Sequence, residues 1–168
     1  MLTHSNIDPR PLFVRETTGR YRPALFDELR AATAAAAYAQ LNGTPVLQSP
    51  RIVREYLRAA VGALDFEVFG LVWLNNRHRV VAVEELFRGT IDGASVHPRE
   101  VVRSAIQRGA AAVILYHNHP SGVTDPSCAD ELITNRIREA LALIEVRVLD
   151  HLILTRDSIT SFAELGKL

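Results

Sequence analysis

The run Ala110–Tyr116, AAAVILY, constrains the fold more than any other segment. Its apolar core from Ala111 to Tyr116 has no polar alternation, so neither side can face water. Such a run, bounded by Gly109 and a turn-rich loop, reads as a strand covered on both faces. A doubly covered strand needs helices above and below it. Helical patterns flank it: Pro98–Gln107 upstream, with Pro at the start, Glu100 in the first turn and Gly109 just past the end, and Ser127–Leu143 downstream.

The remaining periods fit the same scheme. Phe66–Leu74 and Arg79–Phe87 are β-rich around the turn Asn75-Asn76-Arg77, a hairpin closed by Gly89. Val146–Leu154 is a strand interrupted by Asp150-His151, and Ile159–Phe162 is a short last one. Before the hairpin, Leu25, Leu29, Ala32, Ala36 and Ala39 recur at helical spacing up to Asn42-Gly43. A second helix spans Ser49–Leu64, with Ile52, Val53, Tyr56, Leu57 and Val61 on one face. Residues 1–22 show no hydrophobic period and read as an irregular arm. Strands alternating with helices predict an α/β fold, a mixed β-sheet flanked by helices.

Composition narrows the chemistry. A chain of 168 residues, 48% hydrophobic, is expected to form one domain and to fold without disulfides. Its one cysteine, Cys128, excludes a disulfide framework and a thiolate-rich zinc site within the chain. Nineteen basic residues balance 19 acidic ones, which argues against nucleic acid as a partner of this chain alone. The N-terminal residues lack the apolar core of a signal peptide, and no run is long enough to span a membrane; a cytoplasmic location is the expectation. The six histidines and the carboxylates are what a metal site would be made from.

Two of those histidines, His117 and His119, stand two apart at the end of the buried strand, a spacing that turns both imidazoles to one side. Asp130 follows in the first turn of the next helix. Two imidazoles and one carboxylate suit zinc with a fourth position open to water, the pattern of catalytic sites. Each half also has an ordinary explanation. His-x-His pairs are common on surfaces, and Ser127-x-x-Asp130 is a helix-capping signature. Asp125 competes as a ligand but fits the spacing less well.

The pattern H-x-H-x7-S-x2-D from His117 to Asp130 resembles the JAMM (MPN+) metalloprotease motif. Glu84-Glu85-Leu86-Phe87-Arg88-Gly89-Thr90, Val96-His97-Pro98-Arg99-Glu100, His117-Asn118-His119-Pro120-Ser121-Gly122, Leu149-Asp150-His151 and Ser161-Phe162 resemble the JAB domain of the bacterial RadC family in order and spacing. The resemblance divides the chain into an arm and helix over residues 1–45 and a JAB-like domain over 46–168. Longer family members carry a helix-hairpin-helix region upstream, a pattern that residues 1–45 do not show.

The resemblance implies a cytidine-deaminase-like fold and one Zn2+ per chain on His117, His119 and Asp130. It further implies a zinc-activated water that hydrolyses a peptide or isopeptide bond in a peptide or protein substrate. Neighbours on a strand point to opposite faces, so only one of Glu84 and Glu85 can reach the metal; counting back from Gly89, the resemblance puts the expected general base at Glu84. Ser127 is expected to stabilise the oxyanion. The rival readings are a non-catalytic MPN-like binding module and a DNA-repair-associated protein acting on nucleic acid. His97-Pro98-Arg99-Glu100 reads as a helix start, with Arg99 as a possible substrate contact. Asp150 and His151 read as a hydrogen-bonded structural pair, Asn118 as a brace for the loop and Cys128 as a small apolar filler.

Overall fold

The structure, a computed structural model, describes residues 12–41, 50–89 and 96–168. The expected helix end at Asn42-Gly43, the helix start at Ser49, Thr90 and residues 1–11 lie outside the described residues.

Its elements run β1 (Phe13–Arg15), β2 (Tyr21–Pro23), α1 (Phe26–Leu41), α2 (Pro50–Val61), β3 (Val68–Leu74), β4 (Val80–Arg88), α3 (Pro98–Arg108), β5 (Ala112–Asn118), α4 (Cys128–Ala142), β6 (Arg147–Leu154) and β7 (Ile159–Ser161). A five-stranded sheet has the order β4-β3-β5-β6-β7. Only β5 and β6 are parallel; α4 carries the chain from one to the other, while the remaining neighbours are antiparallel. The fold is the expected α/β architecture with a mixed sheet.

The apolar run becomes the central strand because every residue of β5 is buried. Side-chain alternation divides the core in two. Ala112, Ile114 and Tyr116 pack with Val72, Leu74, Leu152 and Leu154 against Val53, Leu57 and Val61 of α2. Val113 and Leu115 pack with Leu71 and Trp73 against Val101 and Ala105 of α3 and Ile137 and Leu141 of α4. A fully buried leucine contributes roughly 2–3 kcal/mol by leaving water, so the two clusters anchor the strand on both sides. His117 points to the α3/α4 side. Gly109, with φ of 58°, ends α3 in the left-handed conformation that glycine adopts without a Cβ clash.

Three expectations change. Within the expected arm, the described residues form a two-stranded sheet, with Val14 opposite Arg22. Helix α1 forms, but Leu25, Ala32, Ala36 and Ala39 are exposed. A stripe made mostly of alanine offers little area to bury. Leu41 is the buried residue of α1, and the helix is tied to α2 by Arg30, which donates to the Ala60 carbonyl at 2.6 Å. Strand β5 continues to Asn118, two residues past the apolar run. Pairing with β3 accounts for this, because Phe69 stands opposite His117.

Candidate metal centre

The centre lies where the C-terminal end of β5 meets the N-terminus of α4. His117 is the last β5 residue on the α3/α4 face and is fully buried. His119 follows the strand and is held by its own loop: its Nδ1 donates to the Val123 carbonyl at 2.6 Å. Asp130 sits in the first turn of α4, 1% exposed. Ser127 caps this helix, accepting from the Asp130 N–H at 3.2 Å. In return Asp130 Oδ2 accepts from the Ser127 N–H at 2.8 Å and from its hydroxyl at 2.6 Å. This reciprocal cap aims the other carboxylate oxygen, Oδ1, at His117, while His119 Nε2 lies 3.8 Å from Oδ2.

The three side chains form a group able to hold a metal ion. Nε2 of His117 lies 2.8 Å from Nε2 of His119 and 3.2 Å from Asp130 Oδ1. These separations approach the roughly 3.3 Å edge of a tetrahedron whose bonds are about 2.0–2.1 Å. Asp130 Oδ1 is buried and receives no hydrogen bond of acceptable geometry, although His117 is within ion-pair distance. Burial alone would raise the Asp130 pKa. The neighbouring His117 and the bonds from Ser127 outweigh it and hold the carboxyl below the usual carboxylate range.

A carbonyl only accepts, so the contact with Val123 puts a proton on His119 Nδ1 and turns Nε2 toward Nε2 of His117. On the other side, Nδ1 of His117 lies 2.8 Å from Nε2 of His151. Burial pushes the His151 pKa well below the ordinary imidazole value, and the adjacent His117 pushes it the same way. A buried carboxylate oxygen without a hydrogen bond, beside two imidazole nitrogens 2.8 Å apart, is a donor set that a divalent cation satisfies. The donor set fits the metal that the motif implies.

Glu84 is not brought to this group. It shares the α3/α4 face, unlike Glu85, which pairs with Gly70 and binds Arg88 at 2.7 Å. Its carboxylate, however, accepts from Ser104 Oγ at 2.5 Å and from Trp73 Nε1 at 3.1 Å. Glu84 pairs with Leu71, whereas His117 lies in the row of Phe69 and Phe87. Two inter-strand spacings alone put its backbone roughly 10 Å from that of His117. The register shift between Phe69 and Gly70, which skips Leu86, was invisible in the sequence.

The carboxylate that sequence reasoning missed is Glu67. Its carbonyl accepts from Gly89 N at 3.0 Å, which closes the hairpin. Glu67 stands two residues before Phe69, the partner of His117, so the β3–β5 register extended past the strand ends would set it opposite His119, on the same side as Phe69. The available signal was a charged residue at the mouth of an otherwise apolar strand.

The other polar residues resolve as follows. Asn118 is buried, its Oδ1 accepting from Val68 N at 2.8 Å and its Nδ2 donating to the Phe66 carbonyl at 3.0 Å, so it braces the entry to β3 and not the loop. Asp150 and His151 are not a side-chain pair. Asp150 binds the His151 backbone N–H, Ser161 Oγ and Ala163 N, while the His151 ring turns to His117. His97 precedes α3 without a side-chain capping bond, and Arg99 lies at the surface 3.4 Å from Glu100. Asp125 is exposed, and so is Cys128, which therefore fills no core space. Among the described residues, no helix is long and apolar enough to cross a membrane.

A mixed sheet carrying a two-histidine, one-carboxylate group at a strand end defines an α/β domain with a group that could hold a metal ion. Residues 47–167 match the model of the RadC-like JAB domain, and the chain belongs to that family. A UPF0758 protein of Nitrosococcus oceani is 61% identical over 123 residues, 73% of this chain and 55% of that protein. One from Thioalkalivibrio sulfidiphilus is 62% identical over 122 residues, 73% and 54% of the two chains. One from Leptothrix cholodnii is 52% identical over 149 residues, 87% and 67%. The chain spans about half the length of the first two relatives.

Proposed function

We propose that this chain is a zinc-dependent hydrolase of the JAMM type, a metallopeptidase acting on a peptide or isopeptide bond of a peptide or protein substrate. One observation carries the reading: His117, His119 and Asp130 bring ligand atoms within 4.8 Å of one another, and the buried Asp130 Oδ1 accepts no hydrogen bond. When bound there, one zinc ion would polarise a substrate carbonyl and acidify a water molecule.

The chain's own residues supply the proton transfers. Glu67, across from His119, takes a proton from the attacking water as the water oxygen bonds to the carbonyl carbon. It then delivers that proton to the amide nitrogen as the C–N bond breaks. Glu84 stays on Trp73 and Ser104 and supports the hairpin. Ser127 keeps its expected oxyanion contact by moving its hydroxyl proton away from Asp130 Oδ2, which retains the Ser127 N–H.

A peptide-library cleavage assay on zinc-loaded protein tests this assignment. Glu67→Gln should retain zinc and lose about 100-fold or more in turnover, the usual contribution of a general base. Glu84→Gln should change turnover only a few-fold. The reverse pattern would restore Glu84 as the base. Zinc binding without cleavage of any amide would favour the non-catalytic binding module.

A further inference from the structure

Helix α2 packs on the sheet face opposite the candidate metal centre, and α1 lies antiparallel beside it. Their direction follows from Arg30, early in α1, which donates to the Ala60 carbonyl late in α2. Beyond that contact the two helices part into a groove of about 610 Å³. Leu29, Thr33, Ala36 and Gln40 line it from α1, at steps of three and four residues that keep them on one stripe. Ile52 and Ala59 of α2, with Ala63 just beyond it, form the facing stripe. Tyr38, which helical spacing turns away from the α1 stripe, packs on Tyr56 with ring centroids 5.5 Å apart. Thr33, Ala36 and Gln40 are exposed, and so is Phe26 at the end of the groove, at 62%. Two parallel stripes with little side-chain bulk between them form a floor on which a third helix can lie closely.

The groove carries one sign of charge. Arg30, Arg58 and Arg156 line it against a single acid, Glu55, which lies 3.4 Å from Arg51. Arg30 lies 3.5 Å from Asp27, but Arg58 and Arg156 form no ion pair with another described residue. Arg156 arrives from the turn after β6. Gly62 permits that approach, because a Cβ there would lie 2.7 Å from the Thr155 carbonyl oxygen. The arginines therefore gather toward the end of the groove where α1 starts and α2 ends.

We propose that this groove is a docking site for an acidic amphipathic helix of a partner polypeptide. Its apolar stripe lies on the alanines, with Leu29 and Ile52 at either end, and its carboxylates meet Arg58 and Arg156. A second copy of the chain fits less well, since a two-fold contact through this face would set arginines against arginines. Nucleic acid leaves the apolar floor unused. The site stands apart from the metal reading, and a partner held there leaves the metal centre open.

The probe is a display library of helical peptides about as long as α1, selected on the intact chain, with the enriched peptides synthesised and their affinities read by fluorescence anisotropy. Enriched peptides should carry apolar residues at i, i+3 or i+4 and i+7 with an excess of Asp and Glu. Their binding should weaken as salt is raised. Arg58→Glu with Arg156→Glu should weaken it at least about 10-fold, and Ala36→Glu, which puts bulk and charge on the exposed floor, should do the same. Arg156→Glu alone, in an exposed turn, keeps the charge test in force if Arg58→Glu fails to fold.

No enrichment, enrichment of neutral or basic peptides, or affinity unchanged in folded Ala36→Glu and Arg156→Glu would overturn the proposal. So would a wild-type dimer that Ala36→Glu dissociates, which would make a second copy the occupant. Duplex DNA binding that Arg156→Glu abolishes, with no acidic peptide bound, would overturn it in favour of nucleic acid.

Discussion

Asn118 ties the chain's proposed base to its proposed metal ligands, and removing that tie has a calculable cost. The side chain is fully buried and spans from the end of β5 to the residues on either side of Glu67, bonding Val68 N at 2.8 Å and the Phe66 carbonyl at 3.0 Å. Asn118→Leu keeps the bulk and deletes both bonds. Val68 is 1% exposed, so its N–H is stranded in an apolar setting at a cost of about 1–3 kcal/mol. Phe66 is 42% exposed, so its carbonyl recovers some water and adds only about 1 kcal/mol. The total is about 2–4 kcal/mol. At roughly 2–4 °C per kcal/mol for a chain of this size, the melting temperature should fall by roughly 5–15 °C. Thermal unfolding by circular dichroism at fixed zinc concentration measures the fall, and hydrogen exchange at Val68 should lose its protection. Turnover should drop further than zinc affinity, because the substitution releases Glu67 and leaves the ligands in place. A melting temperature within about 1 °C of wild type, with Val68 still protected, would refute the reasoning.

Two further predictions concern positions away from the ligands. A methyl group added at Gly70 would lie 2.2 Å from Tyr116 Cζ and 2.6 Å from the Glu84 carbonyl oxygen. Tyr116 is 2% exposed and the carbonyl is main chain, so Gly70→Ala should cost about 1–3 kcal/mol or more in urea unfolding; an unchanged midpoint would show that the strands can part. Glu28 has its pKa lowered to about 2 by the bond from Arg22 and then by the Leu25 N–H. Because the folded value lies below the unfolded one, the contact contributes above the ordinary carboxylate range and is lost as pH falls toward about 2. In an NMR carboxyl titration, Arg22→Gln should return the Glu28 midpoint toward the ordinary range; an unmoved midpoint would remove Arg22 as the chief cause.

The central strand was legible because its environment is written into its composition: an unbroken apolar run has no other stable position. Helix α3 was legible from Pro98 and Gly109, which act through their own backbone angles. The pair His117 and His119 could be read as co-facing because strand alternation is local. What escaped depends on pairing between distant segments. The skipped Leu86 sets the row of Glu84, and the skipped Leu149 turns His151 toward the ligands. Both are leucines of ordinary strand character, so nothing in their type marks the shift. Glu84 was chosen by counting along one strand; the bonds from Ser104 and Trp73 that hold it come from α3 and β3.

The most direct test of the central claim is metal stoichiometry. After chelation and dialysis against zinc, elemental analysis should find one zinc per wild-type chain. His119→Ala should bind substantially less while keeping the wild-type circular dichroism spectrum, since His119 is the most exposed of the three ligands, 14% against 0% and 1% for His117 and Asp130. No zinc in the wild-type chain, or full occupancy in the folded His119→Ala protein, would contradict the account.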